Sequence, residues 1–262
     1  MADTETHIEH CVGYEVVHGF ATLTLDSPHN RNAISSRLLA ELTEGLRAAA
    51  TDADVRAVVL THTGGTFCAG ADLSEAADQD PAVAADRRTR AMIDLLRGIV
   101  ELPKPVIAAV DGHVRAGGMG ILAACDIAVA GPASTFALTE VRIGVAPFMI
   151  SLTLLPRLAA RAASRYYLTG EKFDASTAAE IGLITIAADD VTATVVDLCA
   201  QLGKASPQGL TEAKRLTNAA LVAEFDSSAD ELAHRSARFF GTPDAIEGIT
   251  AFLQKRPPRW EL

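Results

Sequence analysis

Val106-Ile107-Ala108-Ala109-Val110-Asp111-Gly112-His113-Val114-Arg115-Ala116-Gly117-Gly118-Met119-Gly120 reads as a buried strand, a turn, and the opening of a helix built from small residues. Pro103 and Pro105 disfavour helix ahead of the strand, and Asp111-Gly112 closes it. The same succession occurs upstream. Val55–Thr61 is a short β-branched run ending in Thr63-Gly64-Gly65-Thr66, and after the acidic Glu75–Asp80 segment a long helical pattern runs from about Ala82 to Glu101. Before it, Tyr14–His18 and Thr22–Leu25 alternate as a hairpin across Gly19, and Ser35 is placed to cap a helix running towards Thr51. After it come a buried helix over Ala116–Cys125, a strand over Ile127–Ala130 and Phe136–Leu138 leading into Thr139. The repeating unit is strand, turn, helix. From about Leu154 the pattern turns helical, with strand character near Leu183–Ile186 and helices expected over Val191–Lys204, Pro207–Leu221, Asp226–Phe240 and Ala245–Gln254. The expectation is an α/β body followed by an α-helical tail, with no low-complexity linker between them.

The 262 residues are 49% apolar and 21% charged, enough for a full hydrophobic core. A formal net charge of -10 opposes nonspecific attraction to nucleic acid or anionic lipid. A small anionic ligand is still compatible with it, since a few local cations or N–H groups suffice. Cys11, Cys68, Cys125 and Cys199 form no CxxC pair, and no two histidines have the i,i+4 spacing of a helical metal pair, so no metal site is expected. Met1 to His10 contains no apolar run of a secretory signal, and the stretch Ile143–Pro156, broken by Pro147, is too short for a membrane span, which needs about 20 apolar residues. A cytoplasmic location is the expectation.

Two Gly-rich turns stand out: Gly64-Gly65-Thr66-Phe67-Cys68-Ala69-Gly70-Ala71-Asp72, and Gly112 through Gly120. Each follows a predicted strand and is read as leading into a helix. Backbone N–H groups at such a turn point outward, where they hold an anion or a developing oxyanion, and two turns can aim at one carbonyl oxygen. The same glycines also serve turn dihedrals and close helix packing. Gly118-Met119-Gly120-Ile121-Leu122-Ala123 matches a dinucleotide fingerprint, but the strand before it ends at Val110, too far upstream. The first turn lacks the Lys-Ser/Thr of a P-loop, and no GxSxG elbow exists. Arg115, in a small apolar stretch, requires a carboxylate, a surface or an anionic ligand, and an ion pair is the default expectation. Glu140, between the apolar runs Phe136–Leu138 and Ile143–Ala146, is placed for partial desolvation, which makes a carboxylate a better base near neutral pH. The alternative is a salt bridge with Arg142 or Arg157.

Taken together these residues resemble the crotonase family, also called the enoyl-CoA hydratase/isomerase superfamily. The resemblance is carried by Pro28 to Ala33, Phe67-Cys68-Ala69-Gly70-Ala71-Asp72-Leu73, Asp111-Gly112 with Ala116-Gly117-Gly118, Cys125-Asp126-Ile127-Ala128 and Glu140-Val141-Arg142-Ile143-Gly144. It continues through Gly170, Ala179, Gly182-Leu183, Ser206-Pro207 and the ending Glu247 to Arg256, and so covers nearly the whole chain. It implies an α/β fold with a crotonase-like ββα-spiral core over residues 1–190 that binds acyl-CoA. Residues 191–262 would form a C-terminal α-helical trimerisation region. The substrate would be an acyl-CoA thioester, with no cofactor beyond the coenzyme A it carries, and the assembly a homotrimer or a hexamer made as a dimer of trimers.

The resemblance also assigns residues. The backbone N–H groups of Ala71 and Gly117 would polarise the thioester carbonyl, with Glu140 managing the proton. Ala69, Asp72, Leu73 and Ser74 would line the pantetheine path, while Arg31 and a neighbouring subunit's Lys255 would meet CoA phosphate. Hydratases of the family commonly hold one water between two glutamates, and Gly120 stands in place of the first. Phe148, Met149 and Ile150 are bulky where many hydratases have a glycine near the water, and are expected to reshape the acyl pocket. A single carboxylate suits the proton shuttle of a Δ3,Δ2-enoyl-CoA isomerase, whereas Glu140–Gly144 followed by Pro147 resembles members assigned as hydratases. Enoyl-CoA hydratase is the preferred activity, isomerase or a non-catalytic acyl-CoA binder the alternatives.

Overall fold

The computed structural model describes residues 10–77 and 81–262. The acidic N-terminal stretch before residue 10, and residues 78–80 of the acidic segment, lie outside it.

The hairpin expected across Gly19 is formed by Val12–Val17 (β1) and Phe20–Leu25 (β2), with Gly19 at φ +83°. Ser36–Thr51 (α1) starts where Ser35 accepts a bond from the Leu38 N–H, the capping that its position implied. Ala57–His62 (β3) runs parallel to β2, and Thr66–Cys68 (β4) leaves it for a second sheet. A short 3-10 turn, Leu73–Ala77, then separates β4 from Pro81–Glu101 (α2), so the first Gly-rich turn does not lead straight into a helix as expected.

Val106–Val110 (β5) is buried along its whole length, as a strand covered on both faces must be. His113–Arg115 (β6) joins the second sheet, Gly117–Ala124 (α3) follows, and Ile127–Ala130 (β7) and Thr135–Ala137 (β8) repeat the alternation. Next come Ser151–Leu154 (α4), Ala160–Thr169 (α5), Phe173–Asp174 (β9), Ala175–Glu180 (α6), Ile186–Ala187 (β10) and Val191–Gly203 (α7). Pro207–Phe240 (α8) and Pro243–Leu253 (α9) end the order.

The larger sheet has the order β1-β2-β3-β5-β7-β10 and the smaller β4-β6-β8-β9. The successive pairs β3/β4, β5/β6 and β7/β8 thus each contribute one strand to each sheet. The short strands β4 and β6 were hidden inside the Gly-rich stretches, where three residues give no readable period.

Helix α8 is continuous for 34 residues, which corrects the expected break between Leu221 and Asp226. No Gly or Pro occurs in that interval; Leu221 and Phe225 are buried in the core, and Asp226 pairs with Arg97 of α2 at 2.8 Å. The region after residue 190 packs onto the same body. Val195 and Cys199 of α7 close the sheet face formed by Val59, Ile107, Ala109 and Val129, and α8 lies along α2. No helix among the described residues is long and apolar enough to cross a membrane.

A buried polar clamp fastens α8. Lys214 Nζ meets Asp126 Oδ2 at 2.8 Å and donates to the carbonyls of Ile99 (2.8 Å) and Lys104 (3.0 Å). Asn218 Nδ2 donates to the other Asp126 oxygen and to Val100 O, and the Val106 N–H also ends on Asp126. Burial pulls the Lys214 ammonium down, and Asp126 opposes that shift. Removing one member leaves an uncompensated charge in the interior, so Lys214→Met is expected to cost about 3–5 kcal/mol. Urea unfolding of the variant beside the parent measures it.

Candidate active site

Strands β4, β6 and β8 run parallel, and their C-terminal ends open onto one cavity of about 790 Å³. Each end delivers one predicted element: Ala71 after β4, Gly117 after β6 and Glu140 after β8. The crevice beyond the carboxyl ends of parallel strands is where open α/β sheets bind ligands.

The first loop is pinned on both sides of Ala71. Ile34 N–H donates to Gly70 O at 2.8 Å, Asp72 N–H donates to Ile34 O at 3.1 Å, and Ala69 N–H donates to Arg31 O. Parallel pairing of Ile34 with Ala71 turns the Ala71 N–H away, and it meets no acceptor among the described residues. Gly117 is the first residue of α3, so its N–H has no acceptor within the helix, and none is supplied elsewhere among the described residues. Ala116, just before it, is held at φ 46° and ψ -120°, a strained conformation for a residue with a side chain.

The two loops touch through glycine. Gly70 sits at φ +91°, and a Cβ there would stand 2.9 Å from the Ala116 Cβ and 3.8 Å from the Gly117 N. A Cβ on Gly117 would lie 2.6 Å from Ile34 Cδ1. A side chain at Gly70 would meet the fixed Ala116 Cβ, and one at Gly117 would require the Ile34 side chain to shift.

Glu140 begins a 3-10 turn, Glu140–Ile143, whose carbonyls are closed by Gly144 in the left-handed conformation. The residue is half-buried, but its Oε2 is fully enclosed with no hydrogen-bond partner. Burial pushes its carboxyl up to about 7, against a weaker opposing backbone hydrogen bond. The alternative of an ion pair is overturned. Arg142 Nε donates to Thr169 O at 3.3 Å, while Arg157 reaches Ala123 O and Asn218 Oδ1.

Gly120 lies on the buried face of α3, where a Cβ would come 2.7 Å from the Ile150 Cβ. Ile150 therefore fills the space a second carboxylate would need. Met149 and Ile150 line the cavity, as expected of that segment, but Phe148 does not. Its ring turns away to stack edgewise on Phe239 at 5.3 Å beneath the Arg235 guanidinium.

Of the residues singled out for the CoA path, Arg31, Ala69, Asp72 and Leu73 line the cavity. Ser74 does not, and its hydroxyl is turned back onto Asp72 Oδ1 at 2.6 Å. Lys255 is exposed beyond the end of α9 and stands outside the cavity. Arg115 lines it without the expected ion pair, donating instead to Val114 O at 2.9 Å and to Thr135 Oγ1 at 2.7 Å. Sequence reading missed Phe240, Ile249 and Phe252, which close the wall from α8 and α9. Their signal was the apolar spacing of Ile249 and Phe252 on α9, one helical face.

The family described as Enoyl-CoA hydratase/isomerase matches residues 15–262. The chain belongs to that family. It is 34% identical over 240 residues to the 2,3-dehydroadipyl-CoA hydratase of Escherichia coli (strain K12), covering 90% of this chain and 92% of that one. It is also 34% identical over 254 residues to the 1,2-epoxyphenylacetyl-CoA isomerase of the same organism, covering 92% and 95%. A crystal structure of an enoyl-CoA hydratase from Mycobacterium avium superposes with a TM-score of 0.90 at 56% identity, covering 97% of this chain and all of that one (100%). The mixed α/β architecture and the helical C-terminal region are those of the crotonase fold. This enoyl-CoA hydratase/isomerase family member is an enzyme, and hydratase names predominate among its relatives.

The raised Glu140 carboxyl has a stability consequence. The folded state holds this proton more tightly than the unfolded chain does, so Glu140 lowers stability as pH rises from about 4.5 to about 7. Glu140→Gln is expected to raise the melting temperature at pH 8, with the gain vanishing near pH 4. Thermal unfolding of both proteins at the two pH values checks the sign.

Proposed function

We propose that this enzyme adds water reversibly to a 2-enoyl-CoA thioester. One observation carries the reading: two unengaged backbone N–H groups, on Ala71 and Gly117, flank the same cavity as a buried, unpaired carboxylate. The thioester oxygen would accept from both N–H groups, which stabilise the enolate-like anion as charge develops; removing one such donor typically costs on the order of 10²–10³ in rate. Glu140, deprotonated above about 7, takes a proton from water as it attacks the β carbon and returns one to the α carbon. The CoA handle would run past Ala69, Asp72 and Leu73, with Arg31 near its phosphates. No further cofactor is required by this scheme.

A second reading draws on Ile150. Because it fills the space beside Gly120, one carboxylate must serve alone, and a lone carboxylate moves a proton between two carbons without any water. That is the Δ3,Δ2-isomerase reaction. We also propose assembly as a trimer or a dimer of trimers, supported by the exposed apolar Ile246, Phe252 and Leu253 of α9, with Lys255 serving a neighbouring subunit. A cytoplasmic location belongs to the same reading.

Loss of the conjugated thioester absorbance of a 2-enoyl-CoA is the direct assay. Glu140→Gln is expected to lower kcat/KM by about 10²–10⁴, and the parent to lose activity below about pH 7 as Glu140 protonates. Conversion of 3-enoyl-CoA to 2-enoyl-CoA with no hydration would install the isomerase reading instead.

A further inference from the structure

The cavity wall supplied by the smaller sheet carries cations that the thioester carbonyl does not use. His113 and Arg115 lie two residues apart on β6 and share one face, Thr135 pairs with His113 in register on β8, and Lys172 immediately precedes β9; all four line the cavity. A chain of net charge -10 has concentrated positive groups here.

Neither cation of this wall, Arg115 or Lys172, is matched by a carboxylate among the described residues. Arg115 is half-buried and donates to Val114 O, Thr135 O and Thr135 Oγ1, all neutral oxygens. Thr135 Oγ1 is in turn 2.9 Å from His113 Nδ1. Lys172 makes no hydrogen bond or ion pair among the described residues. Of the carboxylates nearby, Glu140 lines the same cavity without pairing with any of them, and the others are engaged elsewhere. Asp174 accepts from the Thr177 N–H at 2.8 Å, Glu171 pairs with Arg165 at 2.7 Å, and Asp72 receives Ser74 and Asn30. Burial draws the Arg115 guanidinium down, and burial, then Arg115, then Lys172 push the His113 imidazole down, so His113 feels both cations.

A half-buried guanidinium with only neutral partners is incompletely compensated, and the paired oxygens of a phosphate or carboxylate are what its planar donors fit. We infer that His113, Arg115 and Lys172, with the Thr135 hydroxyl, form an anion-binding wall for an oxyanion group carried by the substrate itself. The shared chemistry is that of a phosphate on the CoA handle or a carboxylate on the acyl chain. The inference rests on the acyl-CoA reading above and adds the residues that would set affinity and selectivity within it.

Three thioesters separate the sources: 2-butenoyl-CoA, the phosphate-free N-acetylcysteamine thioester of the same acid, and an N-acetylcysteamine thioester of a 2-enoic acid ending in a carboxylate. Arg115→Gln and Lys172→Gln are each expected to raise KM about tenfold for the thioester bearing the recognised anion, the effect of losing one charge-assisted bond. The uncharged thioester should change less than about twofold. An effect confined to 2-butenoyl-CoA assigns the wall to phosphate, and one confined to the carboxylate-tipped thioester assigns it to the acyl end. Equal changes for all three, or none beyond twofold, overturn the inference. Arg115 also ties strand carbonyls, so Lys172→Gln, which breaks no hydrogen bond, carries the test if the other variant unfolds. Calorimetric titration with CoA and with glutarate requires no turnover: should the parent hydrate none of the thioesters, the catalytic reading fails, while an unchanged Kd for both probes in Lys172→Gln separately overturns the wall.

Discussion

The approach of the loop after β4 to the start of α3 has no side chain between them, and the rest of the site depends on that closeness. Gly70 faces Ala116, Gly117 faces Ile34, and Gly118 lies where a Cβ would come 2.6 Å from the Cβ of Cys68. Those contacts hold two main-chain segments from different turns of the spiral at backbone distance. Their free N–H groups then stand fixed at one cavity, and on the proposed reading no reorganisation would be required as charge develops on the thioester oxygen. The strain at Ala116 is maintained by this packing together with the Ala116 N–H bond to Ala137 O.

Glu140 shows the complementary principle, a carboxyl whose proton affinity is raised by isolation. Five cationic side chains, Arg31, Arg88, Arg115, Arg142 and Lys172, line the same cavity, yet none pairs with it. Arg142 and Arg157, its close neighbours in sequence and in expectation, are both tied to carbonyl or amide oxygens. An ion pair would have held the carboxyl at low pKa and spoiled it as a base near neutrality. Ile150, pressed against Gly120, makes the isolation complete by taking the place of a second acid.

Much of this was legible in the chain because the signals were local. The cap at Ser35, the hairpin at Gly19, the buried run of β5 and the desolvation of Glu140 between two apolar segments each follow from a few consecutive residues. The family resemblance then placed Ala71 and Gly117 in one cavity, which neither turn specifies alone. Three-residue strands such as β4 and β6 leave no period to read. The continuity of the helix through Asp226 was not readable because its partner, Arg97, lies far away in sequence. The partners of Arg115 were likewise unreadable, since Thr135 reaches it only through strand pairing.

Helix α8 joins two places that have no other reason to be related. One end is fixed by Lys214 and Asn218 to the carboxylate of Asp126, and the other presents Phe240 to the cavity. At 1.5 Å per residue the 26 steps between Lys214 and Phe240 make a ruler of roughly 39 Å. A residue inserted or deleted within it would swing the far ring about 100° around the helix axis and shift it along that axis. The shape of the cavity wall at Phe240 is therefore written partly in the count of residues along a long helix anchored at its other end.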